Sequence, residues 1–255
     1  MKKRPYMLLT NDDGIGAQGL TALGKALGTV GDILVAAPDR ENSGVGHSIT
    51  LRKSLRVHQI DEAVYQIEGT PTDCVLIAVC SLMDRLPDLL VTGINHGPNL
   101  GDDVTYSGTV GAAMEGALWG IPSVAVSVAG QHRMALDHAA QISVNLIKQF
   151  LQRTIPQHTL LNVNIPDLPA ESLRGVRITR LGRRARLAAE LVTLEVDHQG
   201  AMRCLIGGTD PTWIGDAHTD AGATREGYVS VTPLRLDWTC DETLASLDSW
   251  EDLTL

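Results

Sequence analysis

The sequence predicts an α/β protein built on a mainly parallel sheet and followed by an extended, β-rich C-terminal stretch. Short apolar runs (Tyr6-Met7-Leu8-Leu9, Asp32-Ile33-Leu34-Val35-Ala36-Ala37, Asp88-Leu89-Leu90-Val91) alternate with segments of helical periodicity. The first strand, helix and second strand fit within about thirty residues, the length of a right-handed βαβ unit with parallel strands. Polar, glycine-rich loops begin where the apolar runs stop, which is the edge where an open parallel sheet binds ligands.

The first strand empties into Thr10-Asn11-Asp12-Asp13-Gly14-Ile15-Gly16. Adjacent carboxylates in a poorly solvated cleft repel strongly unless a cation lies between them or one stays protonated. The same Asn-Asp-Asp-Gly also reads as a solvated turn, because Asn and Asp bond their own backbone and Gly tolerates positive φ. A helix over Gln18 to Leu27 follows, with Leu20, Leu23 and Leu27 at helical spacing and Gly28 and Gly31 as stops.

The second strand leads into Pro38 to Ser48, a long loop lying beside the first. Ser43 can lend a hydroxyl oxygen to a metal, with nearby glycines allowing close backbone approach. A lone Ser or His here more often reads as a solvated loop residue, and His47 is a candidate general acid with no partner evident in the sequence. Ile49 to Val57 and Ala63 to Ile67 alternate like strands and predict a hairpin projecting from the main sheet. In Gly69-Thr70-Pro71-Thr72-Asp73-Cys74, Thr70 suits an N-cap, Pro71 the first helical position and Asp73 the first turn of a helix over Val75 to Met83. A structural role explains that motif.

The third strand runs into Thr92 to Val110, the segment richest in functional residue types. Asn95 offers an amide oxygen at another strand end. Ser107-Gly108-Thr109 precede a helix of small residues from Val110 to Trp119, so backbone N–H groups and two hydroxyls meet at a positive dipole end, a phosphate site needing no cationic side chain. Asp12, Asp13, Ser43 and Asn95 thus supply oxygen donors from three successive strand ends, a hard-cation set of the Mg²⁺ or Mn²⁺ type. No Cys and His spacing suits zinc. Asp102 and Asp103 read as residues that cap turns or hold the loop.

A buried strand at Pro122 to Ser127, an amphipathic helix over Ala135 to Leu151 and a strand from Thr159 to Ile165 complete the core. The expected division is a catalytic core over 1–180 and an oligomerisation arm over 181–255, continuous with it. Strands at Val176 to Thr179, Met202 to Ile206 and Tyr228 to Pro233 and an amphipathic segment from Asp241 to Trp250 lie among long polar stretches. Such an arm is expected to pair with a partner subunit.

Composition excludes several functions. Of 255 residues, 44% are hydrophobic and 20% charged, as in ordinary globular proteins. Aromatics at 4% and a net charge of -9 argue against a stacking surface or a basic face for nucleic acid, so no nucleic-acid partner is expected. An anionic ligand must be drawn in by local donors or a metal, against the global field. The basic Met1-Lys2-Lys3-Arg4-Pro5 precedes an apolar run too short for a signal peptide or a membrane span, which makes a cytoplasmic protein without membrane partners the expectation. Cys74, Cys80, Cys204 and Cys240 lack paired spacing and read as packing thiols.

Taken together, Leu8 to Gly14, Ala37-Pro38-Asp39-Arg40 with Ser43-Gly44, Gly69 to Val75, Gly93-Ile94-Asn95 with Gly97-Pro98-Asn99, Tyr106 to Val110 and Glu226 to Leu234 resemble the SurE family of 5'-nucleotidases, in family order over nearly the whole chain. The resemblance departs at Asn42, where many members carry Arg or Gln. It implies a Rossmann-like three-layer core and one divalent ion per subunit held by Asp12, Asp13, Ser43 and Asn95. It also implies hydrolysis of nucleoside monophosphates, with 3'-monophosphates and short polyphosphate as further substrates, and homodimers or homotetramers that exchange C-terminal elements. On this reading Asp12 and Asp13 with their ion activate water, Ser107, Gly108 and Thr109 steady the phosphate, and Asn11 or Asn99 orients it from the rim. Two rivals stand beside it. An aspartyl-phosphate enzyme would use Asp12 or Asp13 as nucleophile, although the haloacid dehalogenase pattern is Asp-x-Asp rather than adjacent aspartates. A nucleotide-sensing module would bind in the same cradle without turnover.

Overall fold

The computed structural model describes residues 4–130, 136–153, 156–185, 192–206, 212–247 and 250. The main-sheet strands are β1 (Tyr6–Thr10), β2 (Asp32–Pro38), β3 (Val57–Asp61), β4 (Val64–Ile67), β5 (Leu89–His96), β6 (Ser123–Ala129), β7 (Thr159–Pro166), β8 (Val176–Ile178) and β13 (Val229–Arg235). They lie side by side in the order β3-β4-β2-β1-β5-β6-β7-β13-β8. β2, β1, β5, β6 and β7 are mutually parallel, while β13 runs antiparallel to β7. Short strands β9 (Arg183–Arg184) and β12 (Trp213–Ile214) pair with each other, and β10 (Val192–Val196) and β11 (Met202–Ile206) form a separate hairpin.

The sheet is the middle of three layers. Helices α1 (Gln18–Leu27) and α4 (Leu136–Phe150) cover one face, burying Leu20, Leu23, Leu27, Val144, Ile147 and Phe150 against Val91, Val126 and Val163. Helices α2 (Pro71–Ile77) and α3 (Gly108–Leu118) cover the other, through Cys74, Val75, Val110, Ala112 and Ala113. Each large aliphatic side chain removed from water in this way contributes about 1.5–3 kcal/mol. The small residues of α3 let it lie close: a methyl on Gly116 would fall 2.4 Å from Leu90 Cδ2.

The order of chain connection reverses at β1, which has β2 on one side and β5 on the other. The crevice beyond the carboxyl ends of β1 and β5 is therefore the expected ligand site of this architecture. Asp12 follows β1, and Asn95 is the second-to-last residue of β5, which runs to His96 and is longer than its apolar core.

Four expectations are corrected. The hairpin does not project: β4 lies parallel to β2 and extends the main sheet, with β3 as its edge. Residues 49–56 form no strand, because Ile49 and Leu51 are exposed and Arg52, at φ +57°, breaks the extended backbone. The second helix starts at Pro71, where its capping residues place it, but its α-helical part stops at Ile77, short of Met83, and gives way at Ala78–Leu82 to a π-helical turn. Its start is a capping box: Thr70 Oγ1 accepts from Asp73 N–H at 3.1 Å and Asp73 Oδ2 accepts from Thr70 N–H at 2.9 Å. Thr50 donates to the same carboxylate through N–H and hydroxyl, so the motif serves the fold. Finally, only Cys74 is buried packing; Cys80, Cys204 and Cys240 are exposed thiols.

Residues 229–235, within the stretch assigned to the arm, lie in the main sheet between β7 and β8. Helices α5 (Asp220–Arg225) and α6 (Asp241–Ser246) flank that strand in sequence. Among the described residues, no helix is long and apolar enough to cross a membrane.

Candidate active site

Asp12 leaves β1 into a buried position, 3% exposed. Its Oδ2 accepts Thr109 N–H at 3.0 Å and its Oδ1 accepts the Thr109 hydroxyl in a short contact. Its main-chain carbonyl accepts Asn42 N–H at 2.7 Å. The carboxylate thus sits on the N-terminus of α3, where the helix dipole favours negative charge. Gly108 makes room, since a methyl there would lie 2.8 Å from Asp12 Cβ. Asp13 is half-buried, and His96 N–H approaches its Oδ2 at 3.4 Å from the end of β5.

The other expected residues fall around this pair in different ways. Asn95 directs its amide nitrogen to Gly97 O at 2.8 Å, so Oδ1 is the atom it could offer to an ion. Ser43 follows Asn42, which is bonded to Asp12, but its own hydroxyl is exposed and donates to Glu41 Oε1 at 2.8 Å. Asn11 is fully buried, with Nδ2 on Gly14 O at 2.9 Å. Ser107 is the N-cap of α3, its Oγ accepting Val110 N–H at 3.0 Å. Thr109 spends both donors on Asp12, so the cradle that remains for an anion is the first-turn amides around Ser107 and Gly108. Asn99 is held apart in a polar network, 6% exposed: its Nδ2 donates to Ser127 Oγ at 2.8 Å. Asn164 clamps its main chain at both N–H and C=O, and Asn162 donates to the same carbonyl.

The loop between β5 and α3 is fastened from far along the chain. Asp220, fully buried at the start of α5, accepts Gly101 N–H at 2.8 Å, Gly182 N–H at 2.7 Å and Ala221 N–H at 2.7 Å. Burial pushes its carboxyl up, and those amides oppose the rise. Asp103 accepts from Arg184 at 2.9 Å and Trp213 Nε1 at 3.1 Å, and Asp102 accepts Arg184 N–H. Asp102 and Asp103 therefore hold the loop, as their sequence reading has it. Asp220→Ala leaves buried amides without acceptors and is expected to destabilise the chain by about 3 kcal/mol, read as a shift in urea midpoint.

Sequence reasoning missed Asp220, Asn162 and Asn164, whose partners are distant in the chain. It also missed the pairing of His47 with Glu115 on α3, Nε2 to Oε2 at 2.9 Å. The one available signal was a lone carboxylate inside a helix of small apolar residues.

The donor set fits a hard divalent ion. Asn11 Oδ1 is buried without a hydrogen-bond partner among the described residues, and an acceptor in that state calls for a cation or a donor. Burial raises the Asp12 carboxyl above its ordinary value of 3.8; the Thr109 hydroxyl opposes this and Asp13 adds to it. Among the described residues no three His, Cys, Asp or Glu side chains converge, so the candidate ligands are two carboxylates completed by neutral oxygens. A folded value above the unfolded one means that the folded chain holds this proton more tightly. The stability it contributes is complete below the ordinary value and is lost as pH rises through the folded value. In chelator-treated protein, the stability of wild type minus that of Asp12→Asn should accordingly fall as pH rises from about 4 to neutrality. Urea midpoints measured across that range check it.

A sequence model of the family described as "Survival protein SurE" matches residues 7–187, spanning β1 to the start of the arm. The chain belongs to the SurE family. A relative from Geobacter sulfurreducens, named "5'-nucleotidase SurE", is 47% identical over 246 residues, covering 96% of this chain and 93% of its own. Another of the same name, from Vibrio cholerae serotype O1, is 48% identical over 250 residues, covering 98% and 94%. The crystal structure of a SurE protein from Aquifex aeolicus superposes with a TM-score of 0.86 at 42% identity, covering 97% of this chain and all of that one. The SurE likeness thus extends through the C-terminal stretch as well as the core.

Proposed function

We propose that this chain is a divalent-metal-dependent phosphomonoesterase that hydrolyses nucleoside 5'-monophosphates to nucleoside and phosphate. The observation that carries the proposal is Asp12, buried at the reversal crevice, beside Asp13 and bonded to the N-terminus of α3. The relatives named 5'-nucleotidase, matched over nearly their full length, support the substrate class.

Asp12, Asp13, Ser43 and Asn95 are the residues that would hold one Mg²⁺ or Mn²⁺. When bound, that ion would supply charge stabilisation to the phosphoryl oxygens and acidify a water. The chain's own part is positional. Thr109 fixes the rotamer of Asp12 through two donors, and the amides of Ser107 and Gly108 face the phosphate with the helix dipole behind them. Asn11 Oδ1 lies one residue from the pair, and Asn99 shapes the loop wall. Water attacks phosphorus in line, the P–O bond to the nucleoside breaks, and the leaving oxygen takes up a proton. Both Asp12 oxygens are engaged by Thr109, which favours a ligand over a nucleophile forming an aspartyl-phosphate.

The reading includes a cytoplasmic homodimer or homotetramer formed by exchange of C-terminal elements, where Trp238, Leu244 and Trp250 are exposed. Phosphate release from AMP and GMP with Mn²⁺, abolished by EDTA and restored by metal, is the expected result. Nucleotide binding without release would instead favour a sensing module. A panel extended to 3'-monophosphates and tripolyphosphate sets the substrate range.

A further inference from the structure

The loop carrying Ser43 has little stiffness of its own. Ser43 is followed by Gly44 at φ +75° and Gly46 at φ +60°, both in backbone that favours glycine. Where the Ser43 hydroxyl lies therefore depends on the loop's fastenings. Before Ser43 there is the bond from Asn42 N–H to Asp12 O at 2.7 Å, and after it Gly46 N–H donates to Tyr106 O at 2.9 Å. Next comes His47, whose Nε2 meets Glu115 Oε2 at 2.9 Å, and beyond it Ser48 O accepts the Thr70 hydroxyl at 2.7 Å.

The loop from Val45 to His47 also packs along one stripe of α3. Gly108, Gly111 and Glu115 are spaced three and four apart and share a face. A methyl on Gly108 would lie 2.8 Å from Asp12 Cβ and 3.0 Å from Val45 Cγ1. On Gly111 it would lie 2.5 Å from Gly46 O and 2.9 Å from His47 Cα. The stripe therefore meets first the carboxylate, then the loop backbone, then the imidazole. Glu115 is buried and is itself fixed by Trp119 Nε1, which donates to its other oxygen at 3.0 Å.

We propose that His47 and Glu115 form a positioning pair that clasps the β2–β3 loop onto α3 and so sets Ser43 in place relative to Asp12 and Asp13. The proposal rests on the reading of Ser43 as a metal ligand. It assigns His47 a role distinct from that of a general acid, because what matters is an N–H donor at the position of Nε2 rather than a proton that is given away.

The test is Mn²⁺ binding to the full-length chain, followed by electron paramagnetic resonance of the free ion, with AMP turnover at saturating Mn²⁺ measured alongside. His47→Ala is expected to weaken Mn²⁺ binding about tenfold, the scale seen when residues behind metal ligands are removed. His47→Gln, which can present an N–H at the same place, is expected to restore binding and turnover. Should the alanine variant not fold, Glu115→Gln asks the same question at constant volume: its single carbonyl oxygen can accept from only one of His47 and Trp119, and weaker Mn²⁺ binding is expected. Wild-type affinity in both His47→Ala and Glu115→Gln would overturn the positioning role and leave the metal reading intact. Equal loss of turnover in His47→Ala and His47→Gln, with Mn²⁺ bound normally, would also overturn it in favour of proton transfer. If the wild-type chain binds no Mn²⁺, the metal reading falls and the clasp falls with it.

Discussion

Asp12→Ala is expected to lower Mn²⁺-dependent turnover of AMP by about three orders of magnitude, the several kcal/mol that metal-centred charge stabilisation supplies. The substitution removes one of only two carboxylates in the donor set and the acceptor that both Thr109 donors use. The fold should survive, because the lost hydrogen bonds are offset by removal of a carboxylate that burial disfavours. Turnover close to that of the wild type, in protein with an unchanged circular dichroism spectrum, would refute the site.

Gly93→Ala is expected to have the largest effect on stability, a loss of about 3 kcal/mol or more, enough to leave much of the chain insoluble. Gly93 lies inside β5 at φ +124°, and a methyl there would fall 2.3 Å from Val126 O in the neighbouring strand. Neither the backbone angle nor the carbonyl can yield cheaply, since Val126 belongs to the buried centre of β6. Soluble yield and, where protein is obtained, a urea titration measure it. Asn95 and His96 follow within three residues, so the same substitution would move the β5 side of the site.

The parts of this architecture that were legible in the sequence are those set by short-range pattern. Leu20, Leu23 and Leu27 mark a helix whose apolar face is buried as spaced, and the continuous run Leu8-Leu9 marks a strand covered on both sides. Alternation misled at 49–56, where Ile49 and Leu51 remain exposed and no strand forms, and of that predicted strand only Val57 joins the ladder to β4. At the candidate site, the positions of Asp12 and Asn95 at strand ends were readable from the sequence. Their hydrogen-bond allegiances were not, because those are decided by packing. Thr109 reads as an anion ligand until Asp12 is seen to occupy its donors, and the carboxamide of Asn99 reads as free until β6 delivers Ser127 to it. Nothing local to Asp220 announces that its partner is Gly101, 119 positions away.

That last bond ties the fate of two regions together. Gly101 and Gly182 share one carboxylate, so the loop between β5 and α3 and the segment leading into β9 are held by the same group. A chain shortened before α5 would forfeit more than β13: the segment leading to Ser107 would lose its distant anchor. Conversely, a contact that stiffens the arm is expected to be felt in the loop leading to α3 without touching it.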